Sequence, residues 1–213
     1  MKKQVKTSMR TIVRYIRDFS IVVAGIAVTL YVNDRVTNQG EKRDVKRYLN
    51  AIIFEMEENI KYLDEKADNF QNSVNYANYL RSHKKSKLVS DSINKYSDAI
   101  FSIITLSFKT TAFEMFKSSG TMRLIDNKEL LLSIWETYST LEKTKSGYDI
   151  VNQVKMDEIN KTFLLKEEEK KDVIPMYKFH YYGYAEQMQV ICISASQELK
   201  EVLPAIVTYY NNN

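Results

Sequence analysis

Apolar residues along this chain fall into two regimes. From Phe19 to Val32, "FSIVVAGIAVTLYV", no charge interrupts and no polar face develops in helical projection. From Val45 onward they recur instead at Leu49, Ile52, Met56, Ile60, Leu63, Ala67, Phe70, Val74, Ala77 and Leu80. Steps of three or four over about ten turns, without Gly or Pro, predict one long amphipathic helix. Gly40, in "NQGEKRD", is expected to form a hinge ahead of it. The polar stretch 82–92, "SHKKSKLVSDS", lets the chain reverse. Ile93, Tyr96, Ile100, Ile103 or Ile104, and Phe108 then predict a second helix.

Local grammar is richest in "TTAFEMFKSSGTMRLIDNKELLLSIWETY". Thr111 followed by Glu114 has the spacing of a capping box, in which hydroxyl and carboxylate each satisfy an orphan N–H. Gly120 is placed to stop that helix at positive φ. Asp126 followed by Glu129 predicts a second N-terminus of the same kind. Met122, Leu124 and Ile125 tuck the turn between them into the core. The helix that follows shows Leu131, Ile134, Tyr138, Leu141, Tyr148, Val151, Ile159 and Phe163, with Gly147 as a candidate bend. "KEEEKKD", residues 166–172, is a solvated charge run, and "VIPMYKFHYYGY" is an aromatic loop bounded by Pro and Gly. Met188, Ile191, Ala195, Leu199, Val202 and Ile206 predict a last helix that Pro204 kinks or ends, and "NNN" is a frayed tail.

The first regime decides where the protein sits. Fourteen residues make a helix of about 21 Å, short of a hydrocarbon core of about 30 Å. Ile12, Val13, Tyr15 and Ile16 lengthen the apolar run toward the N-terminus. Arg14, Arg17 and Asp18 interrupt it near one end, where arginine can snorkel and Asp18 can pair. After Val32 comes "NDRVTNQG", which has no small-x-small cleavage site, so a cleaved signal peptide fits poorly. A buried soluble helix is the other rival. The expectation is an uncleaved anchor centred on Phe19, Gly25, Leu30 and Val32. Residues 1–18 are then a basic tail, 19–32 the core of a transmembrane helix that can begin near residue 12, and 33–213 a helical bundle. Six basic residues precede the span and five follow it up to residue 47. That small bias leans toward a cytoplasmic N-terminus.

Composition agrees with few, long helices. The chain has 213 residues, with only 5 Gly and 2 Pro, too few for a turn-rich β fold. A net charge of +4 from 31 basic and 27 acidic residues is an interspersed, solvated surface, and nucleic acid is not implied. One cysteine, Cys192, leaves no intrachain disulfide. The fold class expected is all-α: one N-terminal transmembrane helix followed by an antiparallel bundle of long helices.

"RDFSIVVAGIAVTLYVNDR" resembles the opening of a large bacterial family of uncharacterised proteins, classed as a domain of unknown function. Its elements are matched by Asp18, Gly25, Asn33 and "EKRDVKRYLNAIIFEMEENI". A second landmark of that family is matched by Thr111, Phe113, Glu114, Phe116, Lys117, Ser118, Ser119, Gly120, Ile125, Asn127, Glu129 and Leu130. The chain departs from the pattern at Asp18, where the family usually has Glu, and near Arg35, where it often has Trp. The resemblance implies a Gram-negative inner-membrane anchor carrying a helical domain, and transfers no activity.

Chemistry is sparse. His83 and His180 stand nearly 100 residues apart with no partner at metal-ligand spacing, so no metal is expected. Cys192 beside Ile191 is expected to be a buried small hydrophobe. "KSSG", residues 117–120, lacks the glycine spacing of a phosphate loop. Glu55, Glu57 and Glu58 are expected on a solvated surface. Tyr177, Tyr181, Tyr182 and Tyr184 either pack a turn or line a cleft. No catalytic residue and no cofactor is expected, and a small-molecule ligand is not favoured. The expected role is a non-enzymatic membrane-anchored scaffold or accessory subunit binding other envelope proteins. The alternative is an extracytoplasmic sensory or small-ligand-binding bundle acting through a partner. The long stripe serves as an intramolecular seam or, alternatively, in self-association.

Overall fold

The computed structural model describes residues 2–83, 95–165, 180 and 182–212, with side chains from Phe19 onward except that of Thr162. The chain is all-α, with no strand among the described residues. Helix α1 (Lys2–Asn69) is followed by α2 (Gln71–Ser82), α3 (Ser97–Phe101), α4 (Thr111–Ser118), a 3-10 turn (Thr121–Leu124), α5 (Lys128–Phe163) and α6 (Tyr184–Asn212).

Gly40 is no hinge, because α1 runs through it for 68 residues. One glycine costs a helix about 1 kcal/mol, and the flanking Gln39, Glu41, Lys42 and Arg43 are good helix formers. The stripe from Val45 breaks once instead, at Phe70, whose N–H is shared between the carbonyls of Lys66 and Ala67 at 3.2 Å each. Gly147 lies inside an uninterrupted α5. Pro204 does not end α6. Pro204 is exposed, so the helix carries it on its solvent side. The tail continues as helix to Asn212.

Hydrogen bonds fix the topology. Lys200 Nζ reaches Asp64 at 2.9 Å, Gln189 Nε2 donates to the Ala67 carbonyl at 3.1 Å, and Lys46 lies 5.7 Å from the Tyr210 ring. Helix α6 therefore descends antiparallel to α1. Tyr138 meets Glu55 at 2.6 Å and Tyr148 packs on Phe70 at 5.5 Å, so α5 climbs parallel to α1. Leu49, Ile52, Met56 and Leu63 of α1, Ile134 and Leu141 of α5, and Cys192, Leu199 and Ile206 of α6 form one buried core. Val45 is the first buried residue of α1 among those from Phe19 onward, whose side chains are described. The expected domain boundary at residue 33 thus lies below the packed bundle by roughly 18 Å of bare helix.

The descending leg between α2 and α5 departs from expectation. The predicted helix is not continuous: among the described residues of that stretch α3 covers only Ser97–Phe101, 102–109 run out extended, and residues 93 and 94 lie outside the described residues. Length explains it. Tyr96 packs on Tyr76 at 5.1 Å, while Phe116 packs on Tyr48 at 5.5 Å. Those two anchors are separated by roughly 42 Å of helix, and the about 20 residues between Tyr96 and Phe116 would span only about 30 Å if helical. The extended residues 102–109, at about 3.3 Å each, supply the difference.

Candidate functional site

Two regions concentrate what this chain can do: the bare part of α1 and the extended strap 102–110.

On α1, Phe19 is 70% exposed, Leu30 63% and Val32 53%. Gly25 has open space where a side chain would stand, and Thr29 Oγ1 donates to its carbonyl at 2.8 Å. Arg35 lies over the Tyr31 ring at 5.2 Å, an aromatic–cationic pair of the kind found where helices leave a bilayer. The helix is long and apolar enough to cross a membrane, and none of its apolar window is buried in the protein.

The strap is held by side chains from both neighbouring helices. On its α1 edge, Asn59 bonds the Lys109 main chain twice: its Nδ2 donates to the carbonyl at 2.7 Å and its Oδ1 accepts from the N–H at 2.8 Å. Tyr62 Oη donates to the Thr105 carbonyl and accepts from the Ser107 N–H, both at 3.1 Å. From α5, Asn152 Nδ2 donates to the Ile104 carbonyl at 2.7 Å. Lys155 Nζ donates to the carbonyls of Ala99 at 3.1 Å and Ser102 at 2.5 Å. Burial pulls the Lys155 amine down to about 8, because desolvation penalises its charge.

Below the strap, Glu55 caps α4 from another helix. Its carboxylate accepts from the Ala112 N–H at 2.7 Å, the Phe113 N–H at 3.4 Å and the Tyr138 hydroxyl at 2.6 Å. Glu55 is thus buried, correcting the surface expectation, while Glu57 is exposed and Glu58 pairs with Lys109 at 3.0 Å. Burial first, and then the Glu55 carboxylate, push the Tyr138 hydroxyl far up. The Phe113 and Tyr138 rings stack over the pair at 4.1 Å.

The expected capping residues resolve accordingly. Thr111 and Glu114 form no capping box: Thr111 is the first helical residue, and Glu114 pairs with Lys117 at 2.8 Å. Of the amides such a box would serve, the Glu114 N–H donates to the Thr110 carbonyl at 2.9 Å, while Glu55 takes the neighbouring amides of Ala112 and Phe113. Gly120 is left-handed, with φ 72°. The second cap is Asn127 rather than Asp126, with Asn127 Oδ1 accepting from the Leu130 N–H at 2.9 Å. Glu129 sits in the first turn, suited to the helix dipole. Asp126 accepts from the Tyr209 hydroxyl at 2.7 Å, and that bond holds its carboxyl below the usual range. It ties the base of α5 to the end of α6.

A cleft of about 440 Å³ opens between the strap and α5, with Phe108 and Thr110 on one wall and Trp135, Ser139, Glu142 and Lys145 on the other. Cys192 is buried, and desolvation pushes its thiol up to about 11. His83 is exposed and stacks on Tyr79 at 4.2 Å; His180 is buried against Tyr76 at 4.7 Å. No metal-binding group of three occurs among the described residues. The charge run 166–172, Tyr177 and Tyr181 lie outside them; Tyr182 is exposed and Tyr184 half-buried.

Comparison with known proteins finds no matching family model, no matching curated protein and no matching solved structure.

Proposed function

We propose that this chain is a non-enzymatic, membrane-anchored helical scaffold or accessory subunit that docks on other envelope proteins. It belongs to the inner membrane of a bacterium, with the N-terminus in the cytoplasm and the bundle in the periplasm, as the family it resembles would have it. One observation carries the reading. The bare apolar stretch and the central helix of the bundle are the same unbroken helix, Lys2–Asn69. Such a build fixes the bundle's height and tilt over the membrane, which suits a platform. The non-enzymatic part is supported by where the reactive side chains are spent: Glu55 and Lys155 on main-chain groups, and Cys192 in the core.

Alkaline carbonate extraction tests the anchor. The full-length chain stays with the membrane pellet; its appearance in the supernatant refutes the span. An alkaline phosphatase fused after Asn213 is active if the bundle is exported, and silent at full expression if the topology is reversed. Native mass spectrometry after detergent extraction tests the role: a co-purifying protein favours the scaffold, a bound small molecule the sensory alternative.

A further inference from the structure

The strap has two edges: among the described residues one is bonded along its length and the other only at its upper end. In an extended segment successive residues aim their N–H and C=O groups to opposite sides. Thr105, Ser107 and Lys109 aim theirs at α1, where Tyr62 and Asn59 take them up. Ile104, Leu106, Phe108 and the N–H of Thr110 aim the other way, while the Thr110 carbonyl turns into α4 and accepts from the Glu114 N–H at 2.9 Å. At the upper end Asn152 takes the Ile104 carbonyl. Farther down, the strap and α5 diverge, and the cleft opens. Among the described residues, none hydrogen-bonds to the Phe108 N–H, the Phe108 C=O or the Thr110 N–H.

We propose that this cleft binds an extended polypeptide segment of a partner protein, which adds to the free edge of the strap as a β-strand. An unpaired edge bordering a cleft is a template for another extended main chain. The side chains around it fit a peptide. Trp135, 51% exposed, offers a flat ring for alternate side chains, and Phe113 and Leu141 line the cleft beneath it. The rim is balanced in charge: Glu114 and Lys117 on α4 pair with each other, and Glu142 faces the cleft together with Lys145 on α5. That balance suits an uncharged main chain better than a phosphate, a nucleic acid or an anionic headgroup, each of which calls for surplus cations. The proposal rests on the scaffold reading and gives it a docking site.

The test uses full-length protein in detergent micelles. The probe is a capped peptide of alternating Thr and Val with one Lys and one Glu at its ends. Its twin is N-methylated on every central amide, which removes the donors and leaves the side chains. Amide exchange by mass spectrometry follows the segment 104–112. With parent peptide at about ten times its Kd, exchange at Phe108 and Thr110 slows about tenfold. The twin gives no slowing, and Ser139→Trp, which fills the cleft, loses the effect of the parent. The proposal is overturned if the parent gives no slowing at millimolar concentration, or if the twin protects as well as the parent. The peptide pair keeps the test independent of whether Ser139→Trp folds. A failure here leaves the scaffold standing or falling on co-purification alone.

Discussion

Removing the Glu55 carboxylate is the most informative single perturbation of this fold. Three donors converge on it: the amides of Ala112 and Phe113 and the hydroxyl of Tyr138. In Glu55→Ala the Tyr138 hydroxyl and the Ala112 N–H lose their acceptor inside the bundle, at about 1–3 kcal/mol for each buried unsatisfied group. The lost cap on α4 is part of the same cost, since caps alone are worth about 0.5–2 kcal/mol. A total of about 3–5 kcal/mol follows. Glu55→Gln keeps one acceptor oxygen and loses the charge assistance, for about 1–2 kcal/mol. Tyr138→Phe removes one donor and leaves the two amides served, for about 1–2 kcal/mol. The Glu55→Gln and Tyr138→Phe effects should couple, because both alter the hydrogen bond between these two side chains. Thr111→Ala, at the position where the sequence suggests the cap, should be close to neutral. The assay is urea unfolding of the full chain in detergent, followed by the fluorescence of Trp135, the one tryptophan in the sequence. A costly Thr111→Ala beside a harmless Glu55→Ala would refute capping from α1 and restore the capping box.

Three further outcomes are expected. Lys155 titrates near 8 in the fold against 10.5 when free, so the unfolded chain binds the extra proton between those values and stability rises with pH across that window. The difference in urea stability between wild type and Lys155→Met should grow by about 3 kcal/mol from pH 8 to 10.5; a flat difference would contradict the burial assigned to the amine. Gly120→Ala should lose about 1 kcal/mol, since φ is 72° and no neighbour obstructs the new Cβ, whereas Gly40→Ala should gain about 0.5–1 kcal/mol inside a straight helix; equal signs would break the contrast. Asn127→Ala should lose about 0.5–2 kcal/mol through the cap of α5, and Asp126→Ala should leave that cap intact, the reverse order restoring Asp126 as the cap.

The long stripes were legible because burial on one side of a helix forces a period that nothing else produces. Nearly all the stripe residues of α1 are indeed in the core, and so are Ile134, Tyr138, Leu141 and Tyr148 of α5. What periodicity missed were positions whose partner lies on another element. Glu55 and Asn59 face inward among the α1 stripe residues, and a carboxylate or amide there signals that some main chain needs them; only the topology says which. Capping suffered similarly. Thr111–Glu114 has the right spacing, but the helix takes up Thr111 as its first residue, the Glu114 N–H goes to the Thr110 carbonyl, and a buried carboxylate from α1 caps the amides of Ala112 and Phe113. Asp126 and Asn127 are both capping residues by type, and the choice fell to Asn127 because Tyr209 claims Asp126.

The strap carries a sequence signal of its own, which a helical period masks. Ile104, Leu106 and Phe108 alternate with Thr105, Ser107 and Lys109, which is a period of two in a β-branched and aromatic stretch. Positions 104 and 108 are also four apart, so the larger residues alone fit a helix as well. Leu106 breaks the tie: it is buried in the core beside Ile104 and Phe108, while Thr105, Ser107 and Lys109 are exposed. A helix would have spread these six residues around its circumference. The distance the leg must cover forbids that helix in any case, so pattern and length agree, and the free main-chain edge follows from their agreement. A bundle built wholly of helices bonds its main chain internally and can offer partners only side chains. This one, with a descending leg too short to stay helical, also exposes main chain to a cleft.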